Sequence, residues 1–164
     1  ASIHRVGVFV NESTDMILSE AKRVGLDSIQ LHGNESVEQC NVLRGEGLTL
    51  IKVFSVSYGF DFNVTKSYIP VVDYFLFDTK GKYYGGNANT FDWEILKRYD
   101  QEIPFFLSGG LSPQNVRDVS SIEGMNLHAL DVNSGVEDSP GVKSIEKIET
   151  LLTRLPLKHS LRGN

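Results

Sequence analysis

Short runs of β-branched and aromatic residues alternate along the chain with longer stretches whose apolar positions recur every three or four residues. The runs RVGVFV (5–10), SIQL (28–31), TLIKVFSV (49–56), DYFLF (73–77), PFFL (104–107) and LHALDV (127–132) read as six strands. After the first, Met16, Ile17, Ala21 and Val24 fall at helical spacing, with Ser13 or Thr14 as cap and Gly25 as stop. Further helices are predicted over 35–45, near 92–99, and from Ser112 onward with Pro113 in the first turn. The last covers 143–155 and puts Ile145, Ile148, Leu151 and Leu152 on one face, while 58–68 reads as weakly helical or irregular. Strand starts recur roughly every 20 to 30 residues, the length of a βα unit. Such alternation implies a parallel sheet covered by helices. An open doubly wound sheet and a (β/α)8 barrel both fit.

Polar and glycine-bearing motifs follow the strands at once. Asn11 follows the first, His32 and Gly33 the second, and Asp78, Thr79 and Lys80 the fourth. Ser108, Gly109 and Gly110 follow the fifth, and Asp131 with Asn133, Ser134 and Gly135 ends the sixth. In a parallel sheet these strand ends share one face, where barrel enzymes hold their sites, and this tips the expectation toward a barrel. The loops at Gly109–Gly110 and Ser134–Gly135 sit where barrels bind phosphate: glycine admits backbone N–H groups close to an anion, and a following helix start adds a favourable dipole. Neither a Walker nor a GxGxxG spacing is present. Asp78 closes an apolar strand, where desolvation would raise its pKa and suit a general acid; a surface cap is the plainer reading. Asp131 stands on the same footing. His32 is either a pocket residue or a turn histidine satisfied by backbone. His4 and His128 are read as structural residues within strands, and His159 lies in the tail.

A net charge of −5 and pI of about 5.3 argue against nucleic acid or an anionic membrane as partner. The single cysteine, Cys40, falls on the helix over 35–45, away from any strand end, and is read as packing. It excludes an intrachain disulfide and a multi-cysteine metal site, and suits a cytoplasmic location. The scattered histidines have no metal-ligand spacing, so no metal is expected.

The ordered set GVFVN, QLHG, IKVF, FDTK, YGG, TFDW, LSGGL and DVNSGVE resembles phosphoribosylanthranilate isomerase over most of the chain, from Val6 to Lys147. The resemblance implies a (β/α)8 TIM barrel and the Amadori rearrangement of N-(5-phosphoribosyl)anthranilate to the 1-deoxyribulose 5-phosphate, without a cofactor. It makes Asp78 the general acid at the ribose ring oxygen and gives Asp131 the sugar hydroxyls. It gives Gly109, Gly110, Ser134 and Gly135 the phosphate, and His32 a place in the substrate pocket.

The family also carries a lysine–x–cysteine–glycine strand, whose cysteine is the general base, and an arginine for the anthranilate carboxylate. Neither has a counterpart here, and residues 88–89 depart from the family's loop. RVGVFV matches the family's third strand. The expectation is therefore an incomplete barrel of six βα units, units three to eight, as one domain over 1–157 with a tail over 158–164. Unpaired sheet edges would invite association with a second copy or completion by a separate segment. Little activity is expected of the chain alone. The alternatives are a non-catalytic phosphosugar-binding module, another phosphosugar barrel enzyme, and a domain of a bifunctional tryptophan-pathway enzyme.

Overall fold

The computed structural model of the protein describes residues 3–79 and 93–156. Six strands form one sheet in chain order: β1 (Val6–Phe9), β2 (Ser28–Leu31), β3 (Thr49–Ser55), β4 (Tyr74–Asp78), β5 (Phe105–Ser108) and β6 (Leu127–Leu130). The first three are parallel, with Val6 opposite Ser28 and Ser28 opposite Thr49. Among the described residues no pairing joins β6 back to β1, so the sheet is open, with β1 and β6 at its ends. The α/β class and the six strands thus follow the sequence pattern.

Helix α1 (Thr14–Val24) starts at Ser13, whose hydroxyl accepts from the Met16 N–H, and stops at Gly25 in the left-handed region. An N-cap of this kind stabilises a helix by about 1 kcal/mol. Helix α2 (Val37–Gly45) starts in the same way at Ser36. The next connection, Phe62–Val71, is a 3₁₀ segment, because Pro70 lacks an N–H and hydroxyls compete for its carbonyls. Thr65 Oγ1 donates to the Phe62 carbonyl at 2.8 Å, and Ser67 Oγ to that of Val64 at 3.3 Å.

Two expected helices are also short 3₁₀ segments, Trp93–Arg98 and Val116–Ile122. The second has its N-cap at Asn115 rather than at Ser112: the Ser112 carbonyl accepts from the Asn115 and Val116 N–H groups, and this turn delays the helical start. A short antiparallel hairpin follows β6, with strands β7 (Glu137–Ser139) and β8 (Val142–Lys143). The last helix is α3 (Ile145–Arg154). Leu151 is buried there and Ile148 packs beside it, but Ile145 and Leu152 are 74% and 54% exposed, so the anticipated four-residue face is only half used.

The chain divides into two compact units, each described in its own terms. One comprises Ala1–Phe54, Asp61–Leu76 and Glu102–Phe105, and buries Ile17, Ile29, Leu31, Leu43, Leu50 and Phe75. The other comprises Ser55–Phe60, Phe77–Gln101 and Phe106–Asn164; Val116, Val136 and Leu151 cluster in its core with Leu130 and Val132. No helix among the described residues is long and apolar enough to cross a membrane.

Candidate active site

In the second unit the ends of β4, β5 and β6 are tied by a continuous set of hydrogen bonds. Strand β4 ends at Asp78, which is 4% exposed and whose carbonyl accepts from the Val56 N–H at 2.9 Å. The next residue, Thr79, donates both its N–H (2.9 Å) and its hydroxyl (2.8 Å) to the Ser108 carbonyl at the end of β5. That hydroxyl also accepts from the Trp93 indole N–H at 3.2 Å. Ser108 in turn donates its own hydroxyl to Asp131 Oδ2 at 2.9 Å, just beyond β6. The Asp131 N–H donates to the Leu107 carbonyl at 2.8 Å.

Both glycine loops meet this platform. Gly109 and Gly110 have φ of 101° and 66°, a conformation that ordinary side chains rarely adopt. A Cβ on Gly109 would lie 2.6 Å from the Thr79 backbone, so the first loop presses directly on the residue after Asp78. A Cβ on Gly135 would land on the Leu111 carbonyl oxygen, so the second loop packs on the first. Asn115 braces the first loop: its amide donates to the Gly110 carbonyl at 2.9 Å, and its carbonyl oxygen accepts from the Ser112 N–H at 2.9 Å. Lys143 braces the second, donating to both the backbone carbonyl (3.1 Å) and the side-chain oxygen of Asn133 while pairing with Glu137 at 2.7 Å. The expected helix dipoles are not part of this arrangement. The 3₁₀ segment after the first loop starts only at Val116, and the one at the second is the single turn Ser134–Val136.

His32 belongs to the first unit. Its N–H donates to the Phe9 carbonyl at 2.8 Å, and its Nδ1 lies 3.0 Å from Gln30 Nε2. Beside it is a buried ion pair not anticipated from the sequence. Lys52 and Glu35 are each 2% exposed, with Nζ and Oε2 3.0 Å apart. Lys52 also donates to the Gly33 carbonyl at 2.7 Å and the Leu31 carbonyl at 3.3 Å. The Glu35 carboxylate accepts from the Asn11 N–H at 2.8 Å and the Gly33 N–H at 3.0 Å. The ends of β1, β2 and β3 are thereby cross-linked. Burial raises the Glu35 pKa, but the Asn11 N–H and the Lys52 ammonium outweigh it and hold the carboxyl below its usual range. A lysine inside the apolar run TLIKVFSV was the available signal.

Six residues singled out from the sequence therefore stand together: Asp78, Gly109, Gly110, Asp131, Ser134 and Gly135 all belong to the second unit, in and around the bonded strand ends. Cys40 is fully buried on α2, and burial pushes its thiol up to about 11. His4 is exposed and precedes β1 rather than lying in it, whereas His128 is within β6, its ring 5.1 Å from that of Phe106. Lys80, residues 84–86 and 88–89, and His159 lie outside the described residues.

The sequence profile described as N-(5'phosphoribosyl)anthranilate (PRA) isomerase matches residues 1–154. The N-(5'-phosphoribosyl)anthranilate isomerase of Parabacteroides distasonis is 42% identical over 151 residues, covering 92% of this chain and 68% of that protein. The crystal structure of phosphoribosyl anthranilate isomerase from Thermotoga maritima superposes with a TM-score of 0.78 at 40% identity, covering 93% of this chain and 72% of that one. A phosphoribosyl anthranilate isomerase in complex with reduced 1-(o-carboxyphenylamino)-1-deoxyribulose 5-phosphate gives a TM-score of 0.76 at 37% identity, covering 93% and 71%.

Proposed function

The chain belongs to the N-(5'-phosphoribosyl)anthranilate isomerase family of tryptophan biosynthesis, and we propose that its second unit carries the acid and phosphate halves of that site. Asp78 is the general acid. Protonating the ribose ring oxygen breaks the bond from that oxygen to C1, and the anilino nitrogen lone pair forms the C1=N bond of a Schiff base. Removal of the C2 proton then gives the enolamine, and its tautomerisation leaves a ketone at C2 and an amine at C1. Asp78 is buried at the end of β4. Asp131 accepts from the sugar hydroxyls, and the backbone around Gly109, Gly110, Ser134 and Gly135 takes the phosphate.

One observation carries this assignment. Gly109 lies against Thr79 with no room for a side chain, so the anion loop and the strand end bearing Asp78 are immediate neighbours. A sugar phosphate can then reach the loop with one end and the carboxyl with its ring.

The C2 proton still needs a base. Cys40, buried and with its thiol raised to about 11, is not poised to be a thiolate. That observation favours a second possibility, a phosphosugar-binding module without turnover. Titration with the reduced 1-(o-carboxyphenylamino)-1-deoxyribulose 5-phosphate, beside an isomerisation assay, separates the two. Binding with turnover that falls about 10²-fold or more in Asp78→Asn supports the enzyme. Binding without turnover supports the module, and an absence of binding overturns both.

A second copy of the chain is the partner proposed for the sheet edge. Strand β1 ends the sheet, and Val6, Val8 and Val10 are exposed there at alternate positions. Light scattering should show self-association that Val8→Lys reduces; a monomer at all concentrations would refute it.

A further inference from the structure

We propose that Ser108 is a positioning residue for the sugar of the ligand, acting by holding the Asp131 carboxylate in its binding orientation. This rests on the assignment of Asp131 to the sugar hydroxyls.

An aspartate beyond a strand end has two free torsions, and an acceptor meant for hydroxyls must be held against rotation to be of use. Ser108 Oγ supplies that restraint through its 2.9 Å bond to Oδ2. Among the described residues no other donor is hydrogen-bonded to the Asp131 side chain. A hydroxyl has one proton, so this bond commits the Ser108 donor to the carboxylate.

Ser108 is itself fixed. Its carbonyl receives two bonds from Thr79, at 2.9 and 2.8 Å, and the Thr79 hydroxyl is held in turn by the Trp93 indole. Asp131 is anchored to the same strand through its N–H on the Leu107 carbonyl. The series Trp93, Thr79, Ser108, Asp131 therefore runs from a buried indole to a carboxylate, crossing the ends of β4, β5 and β6. Because Ser108 immediately precedes Gly109, one residue links the sugar-binding carboxylate to the anion loop. The phosphate end of a ligand and its hydroxyls are then registered on a common support.

The test measures two affinities on the full chain by calorimetry, one for the reduced 1-(o-carboxyphenylamino)-1-deoxyribulose 5-phosphate and one for inorganic phosphate, which has no sugar. Ser108→Ala should weaken the first at least about 10-fold, the size of one hydrogen bond to a charged group, and leave the second unchanged. Ser108→Thr, which keeps the hydroxyl, should restore most of the loss, and Asp131→Asn should weaken the first by more than Ser108→Ala. If Ser108→Ala binds the reduced product like the parent while Asp131→Asn does not, Ser108 positions nothing. Equal weakening of both ligands means that the loop has moved, and also overturns the inference. If Asp131→Asn binds the sugar phosphate unchanged, the assignment of Asp131 fails, and the inference with it.

Discussion

Glu35 Oε2 lies 3.0 Å from Lys52 Nζ, with both side chains almost fully shielded from water. Every strong partner of the pair comes from the ends of β1, β2 and β3, so it acts as a clamp across three strands. Removing one member leaves the other charged and uncompensated. Lys52→Met is expected to cost about 3–5 kcal/mol, whereas Glu35→Leu combined with Lys52→Met costs less than Lys52→Met alone. Urea denaturation of the three variants checks this.

The same pair sets a pH dependence. The Glu35 pKa is lower folded than unfolded, so its contribution is complete above the unfolded value of about 4.3 and is lost as pH falls through the folded value. Unfolding midpoints measured between pH 7 and pH 3 should fall mainly below about pH 4. The Lys52→Met variant should lose stability from a higher pH, because its carboxyl has lost a cation that favours ionisation.

Three glycines should respond to alanine in graded fashion. At Gly135 the new Cβ meets backbone, and at Gly109 it meets backbone while φ is also 101°. At Gly110 φ is 66° but no atom lies within 4 Å. Gly110→Ala should cost about 1–2 kcal/mol, the left-handed penalty alone. Gly109→Ala and Gly135→Ala should cost more and reduce phosphate affinity at least about 10-fold, since the loop must shift. Equal effects at all three positions would contradict the packing described for the loops.

Lys143 spans from the hairpin to Asn133, beside the second glycine loop. Lys143→Met should weaken inorganic phosphate binding about 3- to 10-fold by freeing that loop and removing a nearby positive charge. It should also raise the pKa of Glu137, which hydrogen bonding to Lys143 now lowers. Phosphate titration and carboxyl chemical shifts followed with pH would report the two effects.

Much of this was legible in the chain because strands and the residues ending them are local features. SIQL is β2 residue for residue, and Ser13 and Gly25 bound α1 as their chemistry dictates. The polar residues after the strands were legible for the same reason, since a parallel sheet gathers its strand ends. What escaped depends on partners distant in sequence. Pro113 looks like a first-turn proline, but Ser112 spends its carbonyl on a turn closed by Asn115, and the 3₁₀ segment begins later. Lys52 breaks the apolar pattern of its strand, yet only the fold brings Glu35, Asn11 and Gly33 around it. Ile145 and Leu152 have helical spacing with Ile148, yet both stay largely exposed.

The order of the strands has a kinetic consequence. Each strand from β2 to β6 hydrogen-bonds to the one made just before it, so among the described residues no strand of this sheet waits for a distant part of the chain. Every closure spans a single βα connection, and its entropic cost stays nearly constant from step to step. Growth of the sheet can therefore keep pace with synthesis, each newly emerged segment finding its template already laid down by the ribosome's earlier output.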